Sequence, residues 1–322
     1  MGSSLQKASF FELTPDKVMS AVESHGFNPT GRYRVLNSYE NRVFDVDLET
    51  EGDSEFNRSV IVKFYRPHRW SRETILEEHE FLQELKQEGL PVAAPLLLRE
   101  QSTLWEHEGL WMTVFPKIRG RLIEEILPQQ VPHLGRWLAR LHNIGARKAA
   151  RFRPTLQPNP DRLALLEPHI PLELWTSYRN IAEEVFEFLT HALPHFQSIR
   201  VHGDFHRGNL IWNQDWTLID FDDFLMAPAA QDFWIILTQL SEEDQTVFVD
   251  AYRELRDWDE EEQFLLEPLR AFRIVHYSTW VAERWDDPSF PHLFPGFHDY
   301  NFWSNEILTL QKIVDRSEDD TY

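Results

Sequence analysis

The chain has 322 residues, a hydrophobic fraction of 42% and a formal net charge of -21. That length exceeds one typical domain and that apolar content supplies a sizeable core, which excludes wholesale disorder. The charge argues against non-specific binding to nucleic acid or anionic lipid, and the lack of cysteine excludes disulfides, thiolate metal sites and cysteine nucleophiles.

No apolar run reaches the roughly 20 residues of a membrane-spanning helix, and no basic start followed by an apolar stretch marks a secretory signal. Met1-Gly2-Ser3-Ser4-Leu5-Gln6 carries Gln where a myristoylation signal has Ser or Thr. A cytoplasmic chain without nucleic-acid or membrane partners is the expectation. The acidic runs Asp257–Glu262 and Glu318–Asp320 read as solvated faces.

In chain order, Thr14-Pro15-Asp16 predicts a helix start, with Val18, Met19 and Val22 following at helical spacing. Val43–Leu48 and Val60–Tyr65 read as strands, with a turn over Glu49–Ser54. Ser71–Thr74 opens a second helix, whose apolar positions are Ile75, Leu76, Phe81, Leu82 and Leu85 and whose end is Gly89-Leu90-Pro91. Thr103–Trp105 and Leu110–Phe115 form a hairpin pair around Glu106–Gly109, stopped by Pro116. Beyond Pro128 the pattern is helical over His133–Asn143 and Leu172–Leu193. Two short strands follow, Leu210–Trp212 and Thr217–Ile219, about the turn Asn213-Gln214-Asp215. From Asp232 to Val314 amphipathic helices alternate, with proline-rich breaks near Asp287–Gly296.

The chemistry concentrates in Val201-His202-Gly203-Asp204-Phe205-His206-Arg207-Gly208-Asn209-Leu210 and in Leu218-Ile219-Asp220-Phe221-Asp222-Asp223. Ionisable groups beside core strands are costly without a use. Phosphoryl transfer needs one carboxylate to take the acceptor proton, and hard oxygens to hold Mg²⁺. Asp204 and Asn209 have the Asp-to-Asn spacing of a kinase catalytic loop, and Asp220 follows one hairpin later. Two other readings stay open from the residues alone. His202-x-Asp204-x-His206 can be a hydrolase metal trio, or the cluster can be a structural polar network; within a kinase site, His202 is the residue that braces the loop rather than reacts.

His202–Asn209 with Ile219-Asp220-Phe221-Asp222 resembles the aminoglycoside phosphotransferase and choline kinase group, which shares the protein-kinase fold. Within it, Leu36–Val43, Val62–Pro67, Ile75–His79 and Glu267–Ala271 resemble the bacterial stress response kinase A family, from about residue 12 to 315. The resemblance implies an α+β, two-lobed protein-kinase-like fold, with a strand-rich small lobe over 1–115 and a mainly helical lobe over 116–322. It implies an ATP- and Mg²⁺-dependent serine/threonine protein kinase with autophosphorylation and a stress-response role. The alternative is a small-molecule kinase for a choline, homoserine or aminoglycoside type of acceptor.

Carried over by residue, the resemblance makes Asp204 the catalytic base and Asn209 and Asp220 the Mg²⁺ ligands, with Asp220 also counted as catalytic. Lys63 grips the α- and β-phosphates, with Glu78 its helix partner ahead of Glu77. Asp232 braces the catalytic loop, and Asp222 either assists the metal or braces. A glycine cradle is missing between residues 30 and 48, and Asn37–Asn41 stands there, with Ser38 contacting the nucleotide. Adenine is expected at Phe115–Ile118 through backbone groups. The partners expected are ATP and a protein substrate, for a monomer. The short Asp220–Asp232 interval leaves little room for control by loop phosphorylation.

Overall fold

The computed structural model describes residues 10, 13–36, 38–49, 58–98 and 101–319. The start Met1–Gln6, Asn37, residues 50–54 of the expected turn, and the side chains of the acidic tail run lie outside the described residues. The chain folds as two compact units. One comprises Met1–Glu125, Ala150–Arg153 and Arg207–Phe224; the other comprises Ile126–Ala149, Pro154–His206 and Leu225–Tyr322.

In the first unit, strands β1 (Pro29–Leu36), β2 (Arg42–Leu48), β3 (Ser59–Phe64), β4 (Trp105–His107) and β5 (Leu110–Pro116) form one antiparallel sheet in the order β1-β2-β3-β5-β4. Strand alternation sends Phe44, Val46, Leu48, Val60, Val62, Phe64, Met112 and Val114 into a core covered by helix α1 (Pro15–Ser24). Asp45, Ile61 and Lys63 therefore belong to the other face. Thr14 caps α1 and Pro15 begins it. Ser71 caps α2 (Arg72–Gln87) by accepting the Thr74 N–H at 3.1 Å. Gly89 ends α2 at φ +72°, with the Leu90 N–H bonded to the Leu85 carbonyl at 2.9 Å, the closing bond of a Schellman turn.

The β4–β5 turn is tighter than the sequence pattern predicts. Glu108 and Gly109 alone make it, both at positive φ, as a two-residue hairpin requires. A second, small sheet joins β6 (Arg121–Leu122), β8 (Leu210–Trp212) and β9 (Trp216–Leu218). Gly120, at φ +145°, passes so close to the Trp212 carbonyl that a side chain there would meet it at 2.8 Å.

In the second unit, α3 (Val131–Gly145) packs on α6 (Glu242–Arg253). A bundle of α4 (Leu172–Ala192), α7 (Leu266–Glu283) and α9 (Tyr300–Asp319) closes over Tyr178, Val185, Leu189, Leu269, Val275, Trp303 and Leu310. Two further α-helices of this unit are α5 (Ala230–Leu237) and the short α8 (Ser289–Leu293), which sits inside the expected proline-rich break. Strands β7 (Ile199–Val201) and β10 (Leu225–Ala227) pair antiparallel. Neither they nor β1 and β6 emerge from the sequence pattern. Three of the four pieces, β6, β7 and β10, are too short for a period to show. No helix among the described residues is long and apolar enough to cross a membrane.

Candidate active site

In the first unit, Lys63 stands near the end of β3 and is buried. Its Nζ lies 2.5 Å from Asp222 Oδ1, 3.8 Å from Asp220 Oδ1 and 3.9 Å from Glu78 Oε1. Burial alone would lower the lysine pKa, but Asp222, Glu78 and Asp220 outweigh it and hold the ammonium above its usual range. The lysine therefore lies beside Glu78 as expected, yet its nearest carboxylate is Asp222.

Helix α2 supplies two consecutive glutamates with different tasks. Glu78 is buried and takes Arg153 Nη2 on Oε2 at 2.5 Å. Glu77 points elsewhere, accepting the backbone N–H groups of Arg151, Phe152 and Arg153 at 2.6–2.7 Å. That division answers which glutamate approaches Lys63. Burial pushes Glu78 up, against the opposing pull of Lys63 and Arg153.

Asp222 is braced from all sides. Lys63 holds Oδ1; Oδ2 accepts from the Asn41 side-chain amide and from Arg69 Nη1, the latter at 2.8 Å. Arg69 also reaches Asp223 at 2.6 Å. Burial would raise the Asp222 pKa, but Lys63 and Arg69 drive it below the ordinary carboxylate range.

Asn41 links this cluster to the loop expected to cover the phosphates. Its backbone N–H donates to Ser38 Oγ at 3.2 Å, and its Oδ1 accepts the Arg66 N–H at 3.1 Å. Arg66 also clamps the Glu40 carbonyl at 3.0 Å and the Tyr39 carbonyl at 3.2 Å. Ser38 is thus held in a loop fixed by side chains rather than by glycines.

Arg153 comes from a separate four-residue segment and is buried. Besides Glu78, it donates to the Asp222 carbonyl at 2.6 Å and the Thr74 carbonyl at 3.1 Å. Its guanidinium lies 4.8 Å from the Trp70 ring centre. Sequence reasoning missed Asn41, Arg66, Arg69 and Arg153 as site residues. The Arg66 and Asn41 motifs were visible, but Arg153 has no local pattern.

Asn209 immediately precedes β8 and Asp220 lies two residues beyond β9, and the Ile219 N–H bonds to the Asn209 carbonyl at 3.0 Å. Asp220 adopts the left-handed conformation, φ +61°, and its side chain is 54% exposed, so it can reach a ligand. One carboxylate and one amide oxygen are hard donors, which fit Mg²⁺ completed by substrate phosphates and water. No group of three His, Cys, Asp or Glu side chains among the described residues could hold a metal, so the hydrolase-type trio finds no support.

The second unit carries Asp204. Its Oδ1 accepts from Arg273 Nη2 at 2.9 Å, and its Oδ2 lies 3.3 Å from His206 Nε2. Burial would raise its pKa, but the His206 hydrogen bond and the Arg273 charge bring it down to about 2. The loop beneath is built on Asp232, which is buried at the start of α5. It accepts the His202 and Gly203 backbone N–H groups, both at 2.8 Å, and lies 3.1 Å from His142 Nε2. Gln231 Nε2 donates to the Gly203 carbonyl at 3.0 Å. His202 is fully buried and its Nδ1 accepts the Asp204 N–H at 3.2 Å, a bracing contact. Arg273 had no signal at the sequence level beyond standing near Glu267–Ala271.

A kinase-like arrangement of this kind agrees with comparisons to known proteins. Residues 32–272 match the model of the "Phosphotransferase enzyme family". The chain is 36% identical over 314 residues to stress response kinase A of Escherichia coli strain K12, covering 94% of this chain and 93% of that one. It is 35% identical over 316 residues, with the same coverage, to a Salmonella typhimurium protein named serine/threonine protein kinase RdoA. Among solved structures, the amicoumacin kinase hAmiN in complex with AMP-PNP, Ca²⁺ and Ami shares the fold at TM-score 0.70 and 20% identity, over 88% of this chain and 92% of that one. The fold is accordingly the two-lobed, protein-kinase-like one, and the chain belongs to the phosphotransferase enzyme family as a kinase similar to stress response kinase A.

Proposed function

We propose that the chain is an ATP- and Mg²⁺-dependent serine/threonine protein kinase that also phosphorylates itself and serves bacterial stress survival. The observation that carries this reading is the buried Lys63 ammonium gathered with Glu78, Asp220 and Asp222. A lysine so placed grips nucleotide phosphates. The names of relatives at 35–36% identity support a protein acceptor. Function divides between a nucleotide-binding small lobe over 1–115 and a helical lobe over 116–322 with the catalytic and metal-binding loops. The protein works in the cytoplasm as a monomer.

Asp204 takes the proton of the acceptor hydroxyl as that oxygen attacks the γ-phosphorus. The bond from the γ-phosphorus to the β-bridging oxygen breaks, and ADP leaves. Lys63 holds the α- and β-phosphates, and Glu78 orients it. Ser38 contacts the nucleotide through its hydroxyl or backbone amide, and Phe115–Ile118 receives adenine through backbone groups. Asn209 and Asp220 would hold Mg²⁺, which would neutralise phosphate oxygens when bound.

The test is incubation with labelled ATP and Mg²⁺, alone and with a generic protein substrate, beside Asp204→Ala. Label on protein that vanishes in the variant is the expected result. No label on any protein, with Mg²⁺-dependent ATP binding intact, moves the reading to a small-molecule kinase and calls for a metabolite screen.

A further inference from the structure

Arg273 sits on α7 and donates one hydrogen bond from Nη2 to Asp204 Oδ1, at 2.9 Å. That carboxylate is the one polar partner of its guanidinium among the described residues. An arginine carries five N–H donors in a rigid fork. Nη1 and Nε are left to donate elsewhere, and the side chain is 32% exposed. One turn earlier on the same helix, Arg270 is already paired with Glu267 at 3.4 Å. Arg273 thus differs from its neighbour in keeping donor capacity beside the group that receives the acceptor hydroxyl.

The charges around Asp204 point the same way. Arg273 neutralises the carboxylate, and His206 shares its other oxygen at 3.3 Å. An uncompensated carboxylate would attract a cationic acceptor; this one is already compensated. A planar, partly desolvated guanidinium favours a carboxylate or phosphate. This charge-balanced pair, with guanidinium N–H donors to spare, stands in a chain of net charge -21, where anions are otherwise repelled.

We propose that Arg273 is a specificity-determining residue that reads an anionic group adjoining the acceptor hydroxyl. The acceptor is then a serine or threonine beside an acidic residue, or a small hydroxy acid, and not a choline-like or polyamine cation. The inference rests on Asp204 being the group that takes the acceptor proton. While Oδ1 stays bonded to Nη2, the remaining N–H groups bind the neighbouring anion and fix the hydroxyl over the carboxylate.

The experiment measures phosphate transfer from Mg²⁺-ATP to three synthetic peptides of equal length. Each has one serine, flanked by glutamate, glutamine or lysine; homoserine and choline form a small-molecule arm. The wild-type protein should prefer the glutamate peptide over the glutamine one by about fivefold, the range of a partly exposed charge pair, and the lysine peptide should be poorest. Arg273→Glu should invert that order, chiefly through KM, and Arg273→Lys should keep it. An inverted order is not what a merely structural role produces. Homoserine turnover without peptide turnover would assign the anion to a small hydroxy acid and keep the role of Arg273. Equal rates on all three peptides, a choline preference, or an unchanged order in Arg273→Glu would overturn the inference and leave the kinase reading standing. Failure of wild-type protein to label any acceptor while it binds Mg²⁺-ATP would remove that reading and the inference with it.

Discussion

Lys63 and Asp222 form a buried ion pair, Nζ to Oδ1 2.5 Å, across 159 positions of sequence. Each would be costly to bury alone; together they keep one another charged. Asp222 has both oxygens engaged by protein donors, Lys63 on one and Arg69 and Asn41 on the other. That occupancy favours bracing over metal binding.

Asp222→Ala should therefore act first on stability. It leaves Lys63 and Arg69 facing each other without their shared anion, a loss of about 3–5 kcal/mol for a broken buried pair. Asp222→Asn keeps the hydrogen-bonding shape and should lose less. Urea denaturation of both variants measures the difference. If Asp222 were a metal ligand instead, Asp222→Asn would raise the Mg²⁺ concentration for half-maximal ATP binding; no such rise is expected.

Asp232→Asn tests the support beneath the catalytic loop. Asp232 receives two backbone N–H groups and lies against His142. Asparagine offers one acceptor oxygen and presents an NH₂ where the other was, facing a donor. One hydrogen bond to a charged acceptor is lost, about 1.5–3 kcal/mol. Expected is a fall in kcat larger than any change in ATP KM, because Lys63 and the residues proposed to hold Mg²⁺, Asn209 and Asp220, lie outside this bracing network. A change confined to ATP KM would contradict it.

How much of this was legible depends on range in the chain. The caps Thr14 and Ser71 and the strand patterns of β2 and β3 are local, and each reappears in the fold. Asp232 as a loop brace was readable because four residues precede it in a recognisable order. Arg153, Arg69 and Arg273 were not, since their partners Asp222, Glu78, Asp223 and Asp204 lie 69 to 154 positions away. A lone arginine carries no period. Glu78 beside Lys63, at 3.9 Å, was readable because it is near in sequence; Asp222, at 2.5 Å, was not, because it is near only in space.

Stability should also depend on pH through Glu306. Burial pushes its pKa from the ordinary 4.5 up to about 7, against hydrogen bonds from Ser278 at 2.7 Å and Tyr178 at 3.0 Å. A raised folded-state value means that the folded chain binds the proton more tightly. This contribution is complete below about pH 4.5 and is lost as pH rises toward 7. The loss amounts to about 2 kcal/mol after allowance for partial solvent contact. Glu306→Gln keeps an acceptor for both hydroxyls and carries no charge. Its denaturation midpoint at pH 8 should exceed that of the wild type, and the two should converge near pH 5. Glu262, pushed to about 7 by burial, adds a parallel slope that remains in the variant.

Asp220 combines two properties that separate substitutions can pull apart. Its backbone is left-handed, at φ +61°, where asparagine and aspartate are tolerated and alanine is strained. Its side chain is the half-exposed carboxylate proposed to hold Mg²⁺ and lies 3.8 Å from Lys63. Asp220→Asn keeps the conformation and one oxygen donor but removes the charge. It should fold as the wild type does, need more Mg²⁺ for ATP binding, and lose most transfer. Asp220→Ala should show the same loss of Mg²⁺ dependence together with about 1 kcal/mol less stability from the backbone. Calorimetric titration of ATP at several Mg²⁺ concentrations, with melting curves beside it, reads both effects. Unchanged Mg²⁺-dependent ATP affinity in Asp220→Asn would move the metal to another carboxylate, and Asp223, held at 2.6 Å by Arg69, would be the next to substitute.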